Sequence, residues 1–414
     1  MKEHRNTCDV VVIGGGPAGN IAARALSKAG LRVIVLDSRH DIGNKPCTGI
    51  IGMECATRFP VDPSLVYGTV KGATVRAPDG SDHVLGNDEI RALIIDRVSY
   101  IANIASEAGH LGARYILGSR VHSVSRLGDL VEIDTRCGSG TEVFMCRVAI
   151  ISNGFGSNLL SAVGLNKTNR RDYMVASQIE VEIEEIDEIK LYTGNHVAPG
   201  SFAWLVPTHD SLALLGAVSR DRLNGKFDKL ILMLKREKVI RKTHGTVTKW
   251  GIPLKALPKT YSRGVLVAGD AGGFAKPTTG GGIYYAMLSG DMAAQTVIKA
   301  FESGDFSESN LSKYESMWRN KFGRELQTGY LARLLFESLD DESLNVLIRC
   351  FSSESVQSAI LSDPSFSFDR HGSIILETFK HKDILNAVRS LGVTGGGRII
   401  PRLLKTAASE LVSP

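Results

Sequence analysis

Cys47 is the residue whose type and setting best suggest chemistry. It follows Lys45 and Pro46 in the segment GNKPCTGI, residues 43–50. This segment begins shortly after Asp37, an acidic residue that closes an apolar run. A thiol can take part in proton transfer when its surroundings tune it, and otherwise it behaves as a small hydrophobic group. Which of these applies depends on the elements that position the segment.

A glycine-rich turn near the start of the chain has the spacing of a dinucleotide-binding loop. Gly14, Gly16 and Gly19 satisfy the GxGxxG pattern. The first glycine permits a tight turn, the second lets the backbone approach a pyrophosphate, and the third lets the helix pack close to the strand. Asp37, about 20 residues further on, is suitably placed to accept hydrogen bonds from ribose hydroxyls. The alternative is a loop that serves helix packing only.

The apolar pattern around this turn predicts a β-α-β unit. Residues 9–13 and 32–36 form apolar runs typical of buried strands, and residues 17–29 have helical periodicity that ends at Gly30. The predicted helix therefore begins directly after the turn, where its free N–H groups face the phosphates of a dinucleotide.

A second glycine-rich motif lies far along the chain, in RGVLVAGDAGGFAKPTTGGGI. Residues 264–268 form an apolar strand pattern, Gly269 and Asp270 follow it, and more glycines lead to a long helix that begins at Ile283. An acidic residue at a strand end and a nearby helix N-terminus suit a remote part of a large cofactor site. The motif resembles the second FAD motif of the glutathione-reductase-type flavoproteins, which implies FAD, with Asp270 on the ribityl chain.

The remaining pattern changes from β-rich to helical along the chain. Residues 96–109 read as a helix, and residues 172–183 and 201–217 read as a separate sheet. Further strands are predicted at 113–117, 121–124, 131–135 and 141–151, and long helices at 283–301 and 311–339. We expect an α/β protein with a Rossmann-like FAD-binding domain of the glutathione reductase type, an inserted antiparallel-sheet substrate domain and a helical C-terminal region. The predicted divisions are 1–60, 86–160 and 255–305 for the first, 61–85 and 161–254 for the second, and 306–414 for the third.

Composition excludes several classes of protein. The chain has 414 residues, of which 43% are hydrophobic and 22% charged, so disorder, collagen and coiled coil are poor interpretations. The net charge of +5 is too small to indicate nucleic-acid binding. A spanning helix and a cleaved signal peptide are not expected. The six cysteines are scattered, without the spacing of a metal or iron–sulfur site, which predicts no metal and a cytoplasmic location.

Four stretches resemble the geranylgeranyl reductase family over about the first 330 residues. Besides the first glycine motif they are KPCTG, the segment PGSFAWLVP at residues 199–207, and GDAGGFAKPTTGGGI followed by YESMWRNKFGREL. The chain departs from the family pattern at three positions. Thr48 precedes Gly49, Phe202 stands for a tyrosine, and Val206 stands for a phenylalanine. The Phe202 departure removes a hydroxyl and leaves the exact reaction open.

The resemblance implies a flavoenzyme that saturates C=C bonds of geranylgeranyl chains, an oxidoreductase acting on CH–CH groups through hydride transfer from reduced FAD. It places the loop of Cys47 beside the flavin ring, so we predict that Cys47 is catalytic and gates or polarises the site or joins a proton relay. The alternative is that Cys47 fills an apolar hole. The predicted cofactor-binding residues are Gly14, Gly16, Pro17, Ala18, Gly19, Asp37, Lys45, Cys47, Arg97, Gly269, Asp270, Gly281, Gly282 and Ile283.

The expected substrate pocket consists of Pro199, Phe202, Trp204 and Pro207. Phe202 and Trp204 alternate with small residues, so both rings face one side of a strand and either wall an apolar tunnel or belong to the core. Lys45 and Lys276 either meet a substrate phosphate or are solvated. The expected partner is an isoprenoid lipid, and the electron donor is left open between NADPH and a ferredoxin.

Three other interpretations share the fold. An FAD-dependent aromatic monooxygenase or halogenase is disfavoured because Asn153 stands where the related hydroxylases carry an aspartate. A non-catalytic prenyl-lipid escort protein would need no flavin, and a quinone-linked dehydrogenase would need a four-cysteine cluster. The basic and apolar tail at 379–412 either lies on the inner face of an anionic membrane or packs on the protein body. The lipid head group, the number of bonds reduced and the oligomeric state are left open.

Overall fold

A computed structural model describes residues 6–137, 140–165, 172–184, 188–221, 223, 225–364, 366–382 and 384. The strands, in chain order, are β1 Val10–Ile13, β2 Val33–Leu36, β3 Ile50–Gly52, β4 Val66–Val70, β5 Gly72–Arg76, β6 Asp82–Gly86, β7 Ala92–Ile95, β8 Arg114–Ile116, β9 Ser119–Leu127, β10 Leu130–Cys137, β11 Gly140–Cys146, β12 Val148–Ile151, β13 Tyr173–Ile183, β14 Ile189–Thr193, β15 Phe202–Pro207, β16 Leu212–Ser219, β17 Ile240–Pro253, β18 Tyr261–Ser262 and β19 Val265–Val267.

The helices are α1 Pro17–Lys28, α2 Met53–Arg58, α3 Arg97–His110, α4 Lys226–Arg236, α5 Ile283–Ser303, α6 Glu308–Leu311, α7 Lys313–Trp318, α8 Arg324–Glu337, α9 Asp341–Phe351, α10 Glu354–Leu361 and α11 Gly372–Lys380. Short 3-10 helices lie at Pro63–Leu65, Ser161–Val163 and Gly269–Gly272, and a π-helical turn lies at Arg319–Gly323.

A six-stranded sheet forms the centre of the dinucleotide-binding part. Its order is β18-β19-β12-β1-β2-β8, and all its neighbours are parallel except β18 and β19. Every residue of β1, β2 and β12 is buried, as expected for a sheet that is covered on both faces. The helices α1 and α5 pack on this sheet, and the β-α-β unit predicted from the sequence is formed by β1, α1 and β2.

A seven-stranded sheet carries the second part of the molecule. Its order is β17-β13-β16-β15-β14-β5-β6, and it is antiparallel except for the pair β14 and β5. Strands from two separate stretches of chain therefore meet in one sheet. Two three-stranded sheets, β11-β10-β9 and β3-β7-β4, complete the β structure of the described residues. The domain boundaries stay a prediction.

Two predicted elements are divided in the structure. The predicted strand at 141–151 consists of β11 and β12, which belong to different sheets, because the backbone N–H of Arg147 bonds to Asp9 at the point of transfer. The predicted helix at 311–339 is interrupted by the π-helical turn Arg319–Gly323, which lies between α7 and α8. Around this turn, the rings of Trp318 and Phe322 both pack against Phe274.

The predicted membrane-facing tail lies almost entirely outside the described residues, which end at 384. Among the helices that the structure describes, none combines the length and the apolar character required to cross a membrane.

The packing of α5 on α1 depends on Gly290, because a Cβ at this position would lie 2.1 Å from the carbonyl oxygen of Ala18. We predict that Gly290→Ala destabilises the protein by about 1–3 kcal/mol through overpacking. The matched control is Gly109→Ala in α3, where a Cβ meets no described atom within 4 Å. Alanine there is expected to be neutral or to stabilise by up to about 1 kcal/mol. Thermal and urea unfolding measure both variants, and equal unfolding midpoints would contradict the packing argument.

Candidate functional site

A cavity of about 210 Å³ lies at the carboxyl ends of β1 and β2, in front of the N-terminus of α1. Its position is the one that nucleotide ligands take in open α/β sheets. The predicted cofactor residues that line it are Gly16, Pro17, Ala18, Lys45, Cys47, Arg97, Gly269, Asp270, Gly282 and Ile283. The predicted residues Gly14, Gly19, Asp37 and Gly281 lie outside this lining.

The three motif glycines have different physical roles in this turn. Gly14 has a φ of +105°, and a Cβ on Gly19 would lie 1.9 Å from the carbonyl oxygen of Gly14, so both positions require glycine for the turn itself. Gly16 is different, because a Cβ there would meet no described atom within 4 Å. The open side of Gly16 faces the cavity, at the N-cap of a helix for which no described side chain provides a capping hydrogen bond. This arrangement leaves room for a phosphate against the helix end.

Asp37 holds the turn through hydrogen bonds and lies outside the cavity lining. Its carboxylate accepts hydrogen bonds of 2.8 Å from the backbone N–H groups of Gly15 and Arg39, and only 4% of the residue is exposed. The side chain of Arg39, which sequence reasoning did not single out, lines the cavity instead. The structure therefore shows Asp37 holding the loop, and its contact with a ribose stays a prediction.

Arg97 fixes the loop that leaves the β-α-β unit. Its guanidinium is buried and donates to the carbonyl oxygens of Gly43, at 2.6 Å, and of Lys45. Gly43 has a φ of +83°, and a Cβ on it would lie 2.6 Å from the carbonyl oxygen of Val98. The loop is thus clamped against the start of α3 from two sides.

The same loop is tied to the second glycine-rich motif. The ammonium group of Lys45 donates to a carboxylate oxygen of Asp270 at 2.8 Å. Lys45 forms this ion pair in the structure, and its predicted contact with a cofactor or a substrate phosphate stays a prediction. Since both side chains are partly exposed, the pair matters here for position more than for stability. It joins the two cofactor motifs across the cavity.

A second and larger cavity of about 500 Å³ lies against the seven-stranded sheet, beside β3 and the start of α5, and its lining is mostly apolar. Phe202 and Trp204 both line it, with ring centroids 6.0 Å apart, so the two rings share one face of β15. Pro199 and Pro207, the other predicted pocket residues, are not part of this lining. The indole N–H of Trp204 is buried, with no hydrogen-bond partner among the described residues.

The two cavities meet at Cys47. Six residues line both of them, namely Cys47, Trp250, Ile252, Gly280, Gly282 and Ile283. Cys47 is half-buried and also packs on the core around α1 and α5. Trp250 was not predicted as a site residue, because it lies within the long strand β17 and has no motif around it. A group that extends from the first cavity towards the second must pass these residues.

A third cavity of about 380 Å³ extends the apolar space into the C-terminal helices. It shares Phe351, Ile360, Phe366 and Phe368 with the second cavity. The second and third cavities are therefore adjacent, and their apolar linings together extend from Cys47 to the packing between α8 and α11.

A buried charged cluster lies on the wall of the second cavity. Lys276 is only 7% exposed, and its ammonium group donates to the carbonyl oxygen of Phe368 at 2.6 Å. Of the two alternatives given for Lys276, solvation is therefore wrong, and contact with a substrate phosphate stays a prediction. Burial lowers the pKa of Lys276 to about 8.

Asp369 is the carboxylate of this cluster. It accepts hydrogen bonds from the backbone N–H groups of Gly52, at 3.0 Å, and Cys55, at 2.8 Å. Burial raises the pKa of Asp369, while the charge of Lys276 acts in the opposite direction. Sequence reasoning missed Asp369, since it lies about 90 residues from Lys276 in a segment without a recognisable motif.

Comparisons with known proteins agree with the dinucleotide-binding arrangement of the first cavity. Residues 12–45 match the model of an NAD(P)-binding Rossmann-like domain. The chain is 27% identical over 365 residues to a digeranylgeranylglycerophospholipid reductase of Methanocaldococcus jannaschii, which covers 84% of this chain and 91% of the relative. It is 29% identical over 399 residues to the protein of the same name from Methanoculleus marisnigri, with coverage of 92% and 100%.

Solved structures with a similar fold include proteins with related names. A geranylgeranyl bacteriochlorophyll reductase-like protein from Thermoplasma acidophilum has a TM-score of 0.82 and 24% identity, and the match covers 93% of this chain and 99% of that one. A p-nitrophenol 4-monooxygenase from Pseudomonas putida has a TM-score of 0.67 and 17% identity, over 92% and 98%. The predicted fold class and the resemblance to the geranylgeranyl reductases are confirmed.

Gly16 provides a test of the first cavity. We predict that Gly16→Val abolishes retention of a dinucleotide, because a Cβ at this position meets no described atom within 4 Å and the new side chain would occupy the space in front of α1. Gly68→Val is the matched control, since a Cβ there also meets no described atom within 4 Å. The nucleotide released on denaturation is quantified by absorbance and mass spectrometry. A Gly16→Val protein that retains as much nucleotide as the control would contradict this assignment.

Proposed function

We propose that this protein is an FAD-dependent reductase that saturates C=C bonds of geranylgeranyl chains carried by a membrane-lipid precursor. The observation that carries the proposal is the junction at Cys47, where a cavity at the dinucleotide motif adjoins a large apolar cavity. Redox chemistry on an apolar chain needs this combination, since the cofactor and the chain must meet out of contact with water. The names of the relatives support the same reaction.

The residues of the first cavity fit FAD. The open side of Gly16 suits a pyrophosphate, and Asp270 at the start of the second motif suits the hydroxyls of a ribityl chain. The carboxylate of Asp37 already accepts a hydrogen bond from the turn, so a ribose would have to bind next to that turn to reach Asp37. When bound, the flavin supplies hydride for the reduction. The residues proposed to hold it are Gly16, Pro17, Ala18, Asp37, Lys45, Cys47, Arg97, Gly269, Asp270, Gly282 and Ile283.

The second and third cavities fit an isoprenoid chain. They are lined mainly by aliphatic and aromatic side chains, and each has a volume in the range of about 300–1,000 Å³ that is common for ligand pockets. Phe202 and Trp204 form part of the wall that the chain would contact. Their apolar surface excludes water from the junction, and the rigid rings limit the positions that a double bond can take.

Cys47 is proposed to control the contact between the two cavities. Its loop is held by Arg97 and by the Lys45–Asp270 pair, so the thiol has a fixed position at the junction. From this position the thiol of Cys47 can contact an isoprenoid chain in the site. This contact would limit which double bond of the chain lies at the reacting position. The proposal also includes NADPH or a ferredoxin as the reductant, and a cytoplasmic protein that reaches its lipid at the inner membrane face.

Aromatic monooxygenases and halogenases have the same fold at lower similarity. We prefer the reductase because the relatives that align over most of the chain are named reductases. An oxygen-dependent enzyme or a lipid escort protein is therefore an outcome of the following test.

The proposed reaction predicts a spectroscopic change. The anaerobic protein, reduced with dithionite and freed of excess reductant, is mixed with a geranylgeranylated lipid. We expect the absorbance of oxidised flavin, at about 450 nm, to return and the lipid to gain mass in steps of two hydrogens. The matched control is the fully saturated lipid, which should leave the flavin reduced. A flavin that stays reduced with both lipids argues for oxygen-dependent chemistry, and a protein without flavin argues for an escort role.

The role of Cys47 predicts a rate effect without loss of cofactor. Cys47→Ala should slow reoxidation of the reduced flavin by the lipid about tenfold or more, in line with the loss of a positioned group. FAD content and the unfolding midpoint should stay at the parent values, because the loop is held by Arg97 and Lys45 and the other proposed FAD-binding residues are unchanged. Cys350→Ala, a half-buried cysteine of the C-terminal helices, is the matched control. If Cys47→Ala reduces the lipid at the parent rate, the thiol only fills space.

A further inference from the structure

Lys276 has a position that packing alone does not require. It lies in the connection between β19 and α5, and it lines the apolar cavity beside the junction with the dinucleotide site. A Cβ on Gly281 would lie 2.8 Å from Cε and 3.5 Å from Nζ of Lys276. The neighbours of Gly281, Gly280 and Gly282, line both cavities. The ammonium group is therefore next to the place where the cofactor and the chain must meet.

The immediate partners of the ammonium group leave it available to the cavity. It donates one hydrogen bond to the carbonyl oxygen of Phe368, and it lies 4.4 Å from the centroid of the Phe368 ring. A lysine ammonium has three N–H donors. The carbonyl and the ring hold it in place, and it can present a further N–H to a group in the cavity.

We propose that Lys276 is the proton donor for saturation of the double bond. This inference rests on the proposed function, which requires a proton as well as a hydride. When bound, the reduced flavin would supply a hydride for one alkene carbon, and Lys276 would give a proton to the other. The π bond would break, two C–H bonds would form, and the two electrons would come from the flavin. Lys276 is left as a neutral amine, which takes a proton from water before the next reduction.

The groups around Lys276 suit this role. Asp369 and His371 face it from the segment at the start of α11, Cys55 faces it from α2, and Glu325 faces it from α8. Burial lowers the pKa of His371 to about 3, and its ring bonds to Thr278 and to the carbonyl oxygen of Phe368, so it is neutral. Burial also raises the pKa of the Cys55 thiol, so it is uncharged.

The balance of burial and charge sets the acidity of Lys276. Burial lowers its pKa, Asp369 and Glu325 oppose this change, and the result is a pKa of about 8. Such a group is charged at neutral pH and still releases a proton more easily than an ordinary lysine, whose pKa is about 10.4. Because the donor must be protonated, the reduction should be at its full rate well below pH 8 and slow down as the pH rises through this value.

The test compares three variants of the holoenzyme. Lys276→Met removes the ammonium at similar volume, and Lys276→Arg keeps a positive charge that cannot be given up as a proton. Lys255→Met is the matched control, an exposed lysine whose ammonium lies 5.6 Å from the Tyr330 ring centroid. We expect flavin reoxidation by the lipid to slow about 10²-fold or more in both Lys276 variants and to stay unchanged in the control. The fall above pH 8 should be absent from the residual rates of both.

Two measurements do not depend on turnover. Lysine side-chain ¹⁵N NMR of the oxidised holoenzyme should show one signal that titrates near pH 8 and is missing from Lys276→Met. Quenching of tryptophan fluorescence measures the affinity for digeranylgeranylglyceryl phosphate and for geranylgeraniol, which has no phosphate. Both affinities should stay within about twofold of the parent in Lys276→Met, since a donor of protons contributes little to binding.

Each other result overturns the assignment in a different way. A Lys276→Arg enzyme at the parent rate would show that only the charge matters. A selective loss of affinity for the phosphate lipid would make Lys276 an anion ligand, and a signal that titrates above pH 10 would remove it as an acid. If the parent itself does not reduce the lipid, the proposed function fails first, and the role of Lys276 fails with it.

Discussion

The site depends on two contacts in which one backbone lies directly against another at the N-terminus of α1. A Cβ on Gly19 would lie 1.9 Å from the carbonyl oxygen of Gly14, and a Cβ on Gly290 would lie 2.1 Å from that of Ala18. The first contact holds α1 against the turn after β1, and the second holds α5 against α1. Together they bring two motifs that are about 250 residues apart in the sequence to one cavity. A larger residue at Gly19 or Gly290 would force the backbones at these contacts apart.

The position of Cys47 follows from this arrangement. Since α3 starts beside the same cavity, the guanidinium of Arg97 can reach the carbonyl oxygens of the loop and fix its course. The approach of the second motif brings Asp270 within 2.8 Å of Lys45. With the loop held at both points, Cys47 lies where the two cavities join. The thiol is placed by contacts that are local to the cofactor site, although its proposed effect is on the chain in the other cavity.

The sequence predicted the parts of the molecule whose signals are local. The glycine spacing, the apolar strands and the helical periodicity located β1, α1, β2 and α5 to within a few residues. It did not predict the change of sheet at Arg147 or the π-helical turn at Arg319–Gly323, because both depend on tertiary packing. The same reason applies to the site. Asp270 lies in a motif, whereas Trp250 and Asp369 reach the cavities only through the folding of distant segments.

Burying the charge of Lys276 destabilises the folded protein, and an apolar residue at this position would not. Removing an ammonium from water costs several kcal/mol, and a partner carboxylate or an aromatic ring offsets only part of it. Arg333 is buried to a similar degree, but its guanidinium donates to Glu337 and to the carbonyl oxygen of Gly200. Arg333 lines none of the three cavities, so it is explained as a link between α8 and the turn before β15. Lys276 differs because its ammonium borders an apolar cavity that a methionine would line at lower cost. A charge kept at such a place is better explained by chemistry in the cavity than by stability of the fold.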